Sequence, residues 1–215
     1  MYPSLMKPVL ALPLLAVSCI VFSGCKSDTV KISNAEQAQK GTRVSTRDFT
    51  MDLPNGWKVF DLTQKDFKKA MEAAKAGDPK NERLYNTVTS LASSNMIKMC
   101  AFDMSTISSG FADNINVVAL PGTPTITELR AQSVQQLTSV YSDVKDRGVI
   151  KTPNCEVVKI TFNQKQAQPI GDLYCVSLST LGAKQIFTIT ITVKKANEAK
   201  LPAIEKAILA SFKAK

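Results

Sequence analysis

The fold class this chain predicts is α+β, a central antiparallel β-sheet covered by helices. Three observations carry that expectation. Gln185–Lys194 alternates Phe187, Ile189, Ile191 and Val193 with Thr188, Thr190 and Thr192, a strict two-residue period. Helical periodicity falls into separate blocks instead of alternating one for one with strands, which argues against a parallel βαβ array. A length of 215 residues with 44% hydrophobic and 21% charged residues suits one globular domain with a substantial core.

The elements follow in order. Phe49, Met51 and Leu53 alternate with Thr50 and Asp52, the pattern of a half-buried strand. Pro54-Asn55-Gly56 is a turn, and Trp57-Lys58-Val59 starts a second strand. Helices are expected from Thr63 to Ala76 and from Asn81 to Ser94, broken at Gly77-Asp78-Pro79. Strands are expected at Met96–Met104 and Ile115–Leu120. Thr125-Ile126-Thr127-Glu128 fits a capping box that starts a helix to about Tyr141, with Ile126, Leu129, Leu137, Val140 and Val144 near one face. Strands then dominate: Val144–Ile150, Glu156–Asn163 paired with Asp172–Thr180, and Gln185–Lys194 with an apolar buried face and a Thr-rich opposite one. A last helix runs from about Leu201 to Phe212, with Pro202 in its first turn.

The amino-terminal residues carry a different pattern. Basic Lys7 precedes an apolar stretch from Val9 that ends in Val21-Phe22-Ser23-Gly24-Cys25. Small residues followed directly by cysteine resemble the bacterial lipoprotein signal, the lipobox, although Phe22 stands where Leu is usual. The resemblance implies cleavage between Gly24 and Cys25, diacylglycerol (palmitate-type acyl chains) on the Cys25 thiol and an acylated new amino terminus. Cys19 fits less well, because Ala16-Val17-Ser18 ends the apolar run early. A retained membrane helix needs roughly 20 apolar residues, and Pro13 and Ser18 interrupt the shorter run here. The expected organisation is therefore signal peptide 1–24, lipidated flexible tether 25–47 and domain 48–215. Lys26 after the cysteine, where Asp marks inner-membrane retention in the resembled class, favours the outer membrane facing the periplasm.

Composition restricts the chemistry. The chain has no histidine, which excludes a Ser-His-Asp triad, a Cys-His pair and a His-ligated zinc site. Its nine glycines form no phosphate-binding loop. No Asp/Glu pair has a spacing that suggests an acid/base couple, so no catalytic residue and no cofactor is expected, and the protein is read as a non-enzyme. The net charge of +9 comes from lysines spread along the chain, and the aromatics do not interleave with them. Nucleic acid is not an expected partner.

Three cysteines remain in the domain, Cys100, Cys155 and Cys175, and one disulfide among them is an open possibility in an exported protein. A hairpin centred near residue 168 places Cys155 opposite about residue 180, which argues against a Cys155–Cys175 bond. Met96, Met99, Cys100 and Met104 are the only cluster of soft ligands, of a kind suited to Cu(I). On a strand, Met96, Cys100 and Met104 point one way and Met99 the other. Core packing is the favoured reading, with Met96, Cys100 and Met104 as weak metal candidates.

The run Phe49-Thr50-Met51-Asp52-Leu53-Pro54-Asn55-Gly56-Trp57 resembles the opening strand of PsbP-like proteins, which include DcrB-type bacterial lipoproteins. The close is similar too, with Phe187-Thr188-Ile189-Thr190, a helix and Ser211-Phe212. The resemblance implies an α/β/α sandwich over about residues 48–213, a core role for Trp57, and a protein that binds other proteins without shared catalytic residues. Segment 63–94 is longer and more helical than that pattern. The expectation is a non-catalytic envelope lipoprotein held to the membrane through Cys25, whose domain binds an envelope protein partner or supports an assembly. The alternative is a periplasmic carrier of a small ligand or of copper.

Overall fold

A computed structural model describes residues 42–93, 95–109, 111–166 and 170–215. The elements among them are β1 (Thr42–Ser45), β2 (Phe49–Leu53), β3 (Trp57–Asp61), α1 (Phe67–Gly77), α2 (Glu82–Ala92), β4 (Ile97–Asp103), β5 (Asn114–Pro121), α3 (Ile126–Val140), β6 (Ser142–Lys151), β7 (Glu156–Lys165), β8 (Asp172–Leu181), β9 (Gln185–Lys194), α4 (Leu201–Ser211) and β10 (Lys213–Ala214). Seven strands form one antiparallel sheet in the order β3-β4-β5-β9-β8-β7-β6, and β1-β2-β10 form a small second sheet. The fold is α+β, as the sequence predicts.

The small sheet and α4 cover one face of the main sheet. Met99, Ala101, Ile115, Val117, Phe187, Ile189, Ile191, Val176 and Leu178 meet Phe49, Met51 and Leu53 of β2 and Leu201, Ile204 and Ile208 of α4. Phe49 stacks on Phe212 at 5.6 Å between centroids, and Phe187 meets both rings edge-on at 6.1 and 5.7 Å. Trp57 is buried in this same cluster. The chain reaches it through Gly56, whose φ of +86° lets it turn from the small sheet into β3.

Helices cover the opposite face in two separate patches. Phe67, Met71, Leu84, Tyr85 and Val88 of α1 and α2 pack on Phe60, Cys100, Phe102 and Val118. Leu129 and Leu137 of α3 pack on Val158, Ile160, Phe162, Cys175 and Ile186. Because β9 lies at the centre of the sheet, both of its sides are covered. Thr188, Thr190 and Thr192, expected on the open side of a half-buried strand, are buried.

Two further expectations change. The segment read as the end of the tether contains β1, with Val44 buried against Met51's strand, so described structure already reaches back to Thr42. Thr42–Ser45 was legible only as a polar stretch because a single side chain, Val44, faces the core. On α3 the Thr125 capping box forms as expected. Val140, expected on the packed face, is 71% exposed at the end of that helix, and Ser133 faces inward instead.

Candidate functional site

Cys25, Gly24, the lipobox run and residues 25–41 lie outside the described residues. Within them, Cys100 is buried in the patch under α1 and α2, and Met96 and Met104 pack against the same patch while Met99 faces the other side of the sheet. Met99 and Cys100, adjacent on β4, face opposite sides as expected, while Met96 precedes the strand and Met104 opens a short 3-10 turn after it. Burial pushes the Cys100 thiol up to about 12, so it is protonated at neutral pH and sits there as an apolar side chain. Among the described residues no three His, Cys, Asp or Glu side chains converge as metal ligands.

No disulfide joins Cys100, Cys155 and Cys175 to one another. Cys100 lies on β4 and Cys175 on β8, three strand spacings apart at about 4.8 Å each, beyond the reach of a disulfide. Cys175 pairs with Phe162, seven residues along β7 from Cys155. That separation of about 23 Å excludes the Cys155–Cys175 bond. The register Val157↔Thr180 confirms that Cys155 sits near the far end of the hairpin.

The feature that sequence reasoning missed is a polar strip on the helical side of the main sheet. Reading across neighbouring strands gives Phe102–Asn114–Thr192–Cys175–Phe162, then Cys100–Asn116–Thr190–Ser177–Ile160, then Val118–Thr188–Ser179–Val158. Apolar residues stand at each end of these rows, and Asn, Thr and Ser fill the middle, all buried. The outer rows satisfy themselves in part: Ser179 and Thr188 hydroxyls are 3.1 Å apart, Cys175 Sγ donates to Thr192 Oγ1 at 3.8 Å, and Asn114 Nδ2 donates to Ala112 O at 3.1 Å. In the middle row Asn116 Oδ1, Asn116 Nδ2 and Ser177 Oγ have no hydrogen-bond partner, nor does Ser133 Oγ on α3. An unpaired buried polar group costs about 1–3 kcal/mol. The signal was present in the sequence: Asn114-Ile115-Asn116-Val117, Ser177-Leu178-Ser179 and Thr188-Ile189-Thr190 share one alternation, and antiparallel register puts the polar members side by side.

Charged groups cluster elsewhere and tie loops together. Asp113 accepts from the Lys194 N–H at 3.0 Å and Asn197 Nδ2 at 2.7 Å, and Lys200 Nζ lies 3.2 Å from Asp103. Burial raises the Asp113 carboxyl above the ordinary range despite those bonds. Burial also pulls Asp103 upward, but bonds from Ser105 and Lys200 outweigh it and hold that carboxyl low. Lys58 bonds to Asp78 and the Tyr85 hydroxyl, pinning β3 to the start of α2. A small apolar void of about 10 Å³ lies beside Cys155, Leu178 and Ile208, and a shallow groove of about 440 Å³ runs between Lys151-Thr152-Pro153 and Pro202, Glu205 and Lys206.

No protein-family model matches this chain, and neither does any curated protein. Several solved structures resemble it. The PsbP protein of the cyanobacterium Synechocystis sp. PCC 6803 (CyanoP) is 10% identical with a TM-score of 0.46, over 86% of this chain and 98% of its own. LpqN of Mycobacterium tuberculosis, involved in cell envelope biogenesis, is 8% identical with a TM-score of 0.46, over 83% and 92%. A protein from Bacteroides thetaiotaomicron is 11% identical with a TM-score of 0.43 over 78% of this chain, which spans 45% of that protein's length.

Proposed function

We propose that this protein is a non-catalytic lipoprotein of the bacterial cell envelope, anchored through lipid on Cys25, whose domain binds a protein partner. The observation that carries the reading is Val21-Phe22-Ser23-Gly24-Cys25 directly after an apolar stretch and a basic start. One acyl chain anchors marginally, whereas two or three hold firmly, so the modification decides where the domain works. Placement in the outer membrane, facing the periplasm, follows from Lys26 after the anchor.

The surface best suited to a partner is the β6 flank. β6 is an outer strand of the main sheet, and Val149 on it and Val140 just before it are the large apolar side chains exposed among the described residues. Bulges at Asp143 and Gly148, with φ of 54° and 85°, and the charges of Lys145, Asp146 and Arg147 keep that edge from pairing indiscriminately.

Metabolic labelling with a clickable fatty acid tests the anchor. Wild type takes up label and Cys25→Ser does not; label on both, or on neither, refutes the lipoprotein reading. A photo-crosslinking amino acid placed at Val149 in living cells tests the surface. A discrete adduct band from Val149, absent from the same probe at Lys68 on α1, is expected, and equal patterns from the two sites would reject the flank.

A further inference from the structure

We propose that the polar strip on the helical side of the main sheet is a binding site for a small uncharged ligand carrying adjacent hydrogen-bond donors and acceptors, the chemistry of a sugar diol or a carboxamide.

Three of the unpaired atoms share one row of the sheet, whereas Asn163 Oδ1 on β7 lies outside the strip. Asn116 Oδ1 and Nδ2 and Ser177 Oγ lie in one row of the sheet, and α3 contributes Ser133 Oγ and Gln136 Oε1, also without partners. Asn116 alone offers two donors and two acceptor lone pairs in one plane, the complement of a group that both gives and takes a hydrogen bond. Rows that need no ligand are closed by their own side chains, as Ser179 with Thr188 shows.

The strip also selects by charge. Asn114, Asn116, Ser177, Ser179, Thr188, Thr190 and Thr192 are all neutral and buried. An ion there would lose its water with no countercharge to replace it, so a neutral ligand is the one the floor can accept. Three strands and a stretch from residue 188 to residue 192 give a floor of about 10 by 13 Å, the footprint of one or two small rings.

A way in follows from how the cover is divided. The α1–α2 pair seals the patch over Phe60 and Phe102, and α3 seals the patch over Ile160 and Phe162. Among the described residues no apolar cluster includes side chains from both covers, so the seam above Asn116 can open without breaking a shared core.

The test uses the full chain in detergent with ¹⁵N-labelled asparagine, and glucose and nicotinamide as probes for the diol and the carboxamide. Saturable shifts of the Asn116 side-chain amide signals with one probe are expected, and the probe that binds names the ligand chemistry. Ser177→Ala, read at the Asn116 amide, weakens binding by about tenfold, the order of one hydrogen bond, and Asn116→Leu, read at the Asn114 side-chain amide on the same face of β5, abolishes the saturation. If neither probe moves those signals, or binding survives Ser177→Ala and Asn116→Leu alike, the strip is a water-filled structural seam and the proposal fails. Cys25→Ser leaves the titration unchanged, so this result stands or falls separately from the lipid anchor.

Discussion

Replacing Phe49 with alanine is the sharpest probe of how the small sheet is held. Phe49 is fully buried, stacks on Phe212 and meets Phe187 edge-on, joining β2, the end of α4 and the centre of β9. Phe→Ala in a core costs about 3–5 kcal/mol, from lost transfer energy and the cavity left behind. The cavity has little chance to collapse, because Phe187 and Phe212 brace each other at 5.7 Å. We therefore expect about 4 kcal/mol, which for a domain of this size lowers Tm by roughly 8–16 °C. Urea unfolding of the wild type and Phe49→Ala, followed by circular dichroism and Trp57 fluorescence, measures it. The two probes should lose stability together, since Trp57 shares the cluster. A loss under about 1 kcal/mol, far below the range for a buried ring, would refute the docking of β2 on the main sheet.

Three further outcomes are expected. Thr125→Ala removes the hydroxyl that accepts from the Glu128 N–H, leaving only the backbone N–H of residue 125 on the Glu128 carboxylate, and costs about 1 kcal/mol, read from the urea midpoint; no change would mean that α3 is held by packing alone. In a Cys19→Ser, Cys25→Ser chain, a thiol reagent should modify half-buried Cys155 in the native protein, and Cys100 and Cys175 only after unfolding; native modification of all three would contradict their burial. Asp103 has a lowered folded pKa, so its contribution is fully present above the ordinary value of about 3.9 and disappears as pH falls through the lower folded value. Asp103→Asn should therefore be less stable than wild type at pH 7, the gap closing in acid; a gap independent of pH would remove the carboxylate from that account.

The strands that carry strong alternation were legible to within a residue. Gln185–Lys194 matches its expected bounds, and the strand expected over Asp48–Leu53 forms at Phe49–Leu53, because each puts large apolar side chains at every second position. The Thr125 box fixed the start of α3 by local chemistry alone. What was not legible depends on neighbours distant in sequence. β1 forms because β2 offers Thr50–Leu53 as a template, and β10 because Thr50 and Phe49 accept Lys213 and Ala214 on the other side. The burial of Thr188, Thr190 and Thr192 follows from the central place of β9 in the strand order, which no single strand reveals. The site candidates divide in the same way. Cys100 is core with partly buried Met96 and Met104 packed against its patch, while Asn116 and Ser177 became a site candidate only once register aligned β5, β9 and β8.

The pairing of β1 with β2 has a mechanical consequence. Thr42 and Leu53 are register partners, so the chain enters β1 beside the point where it leaves β2 for the turn at Gly56. Tension drawn between the segment before residue 42 and the main sheet pulls those two ends apart. It loads the ladder as a zipper, not in shear, and its bonds break in succession: first at Thr42, then at the Arg43–Asp52 ion pair, then at Val44. β2 stays clamped by β10 and the Phe49 rings while this happens. Strand β1 is thus a weak link in series with the core, able to peel and release four residues under such a pull before the domain itself bears the load.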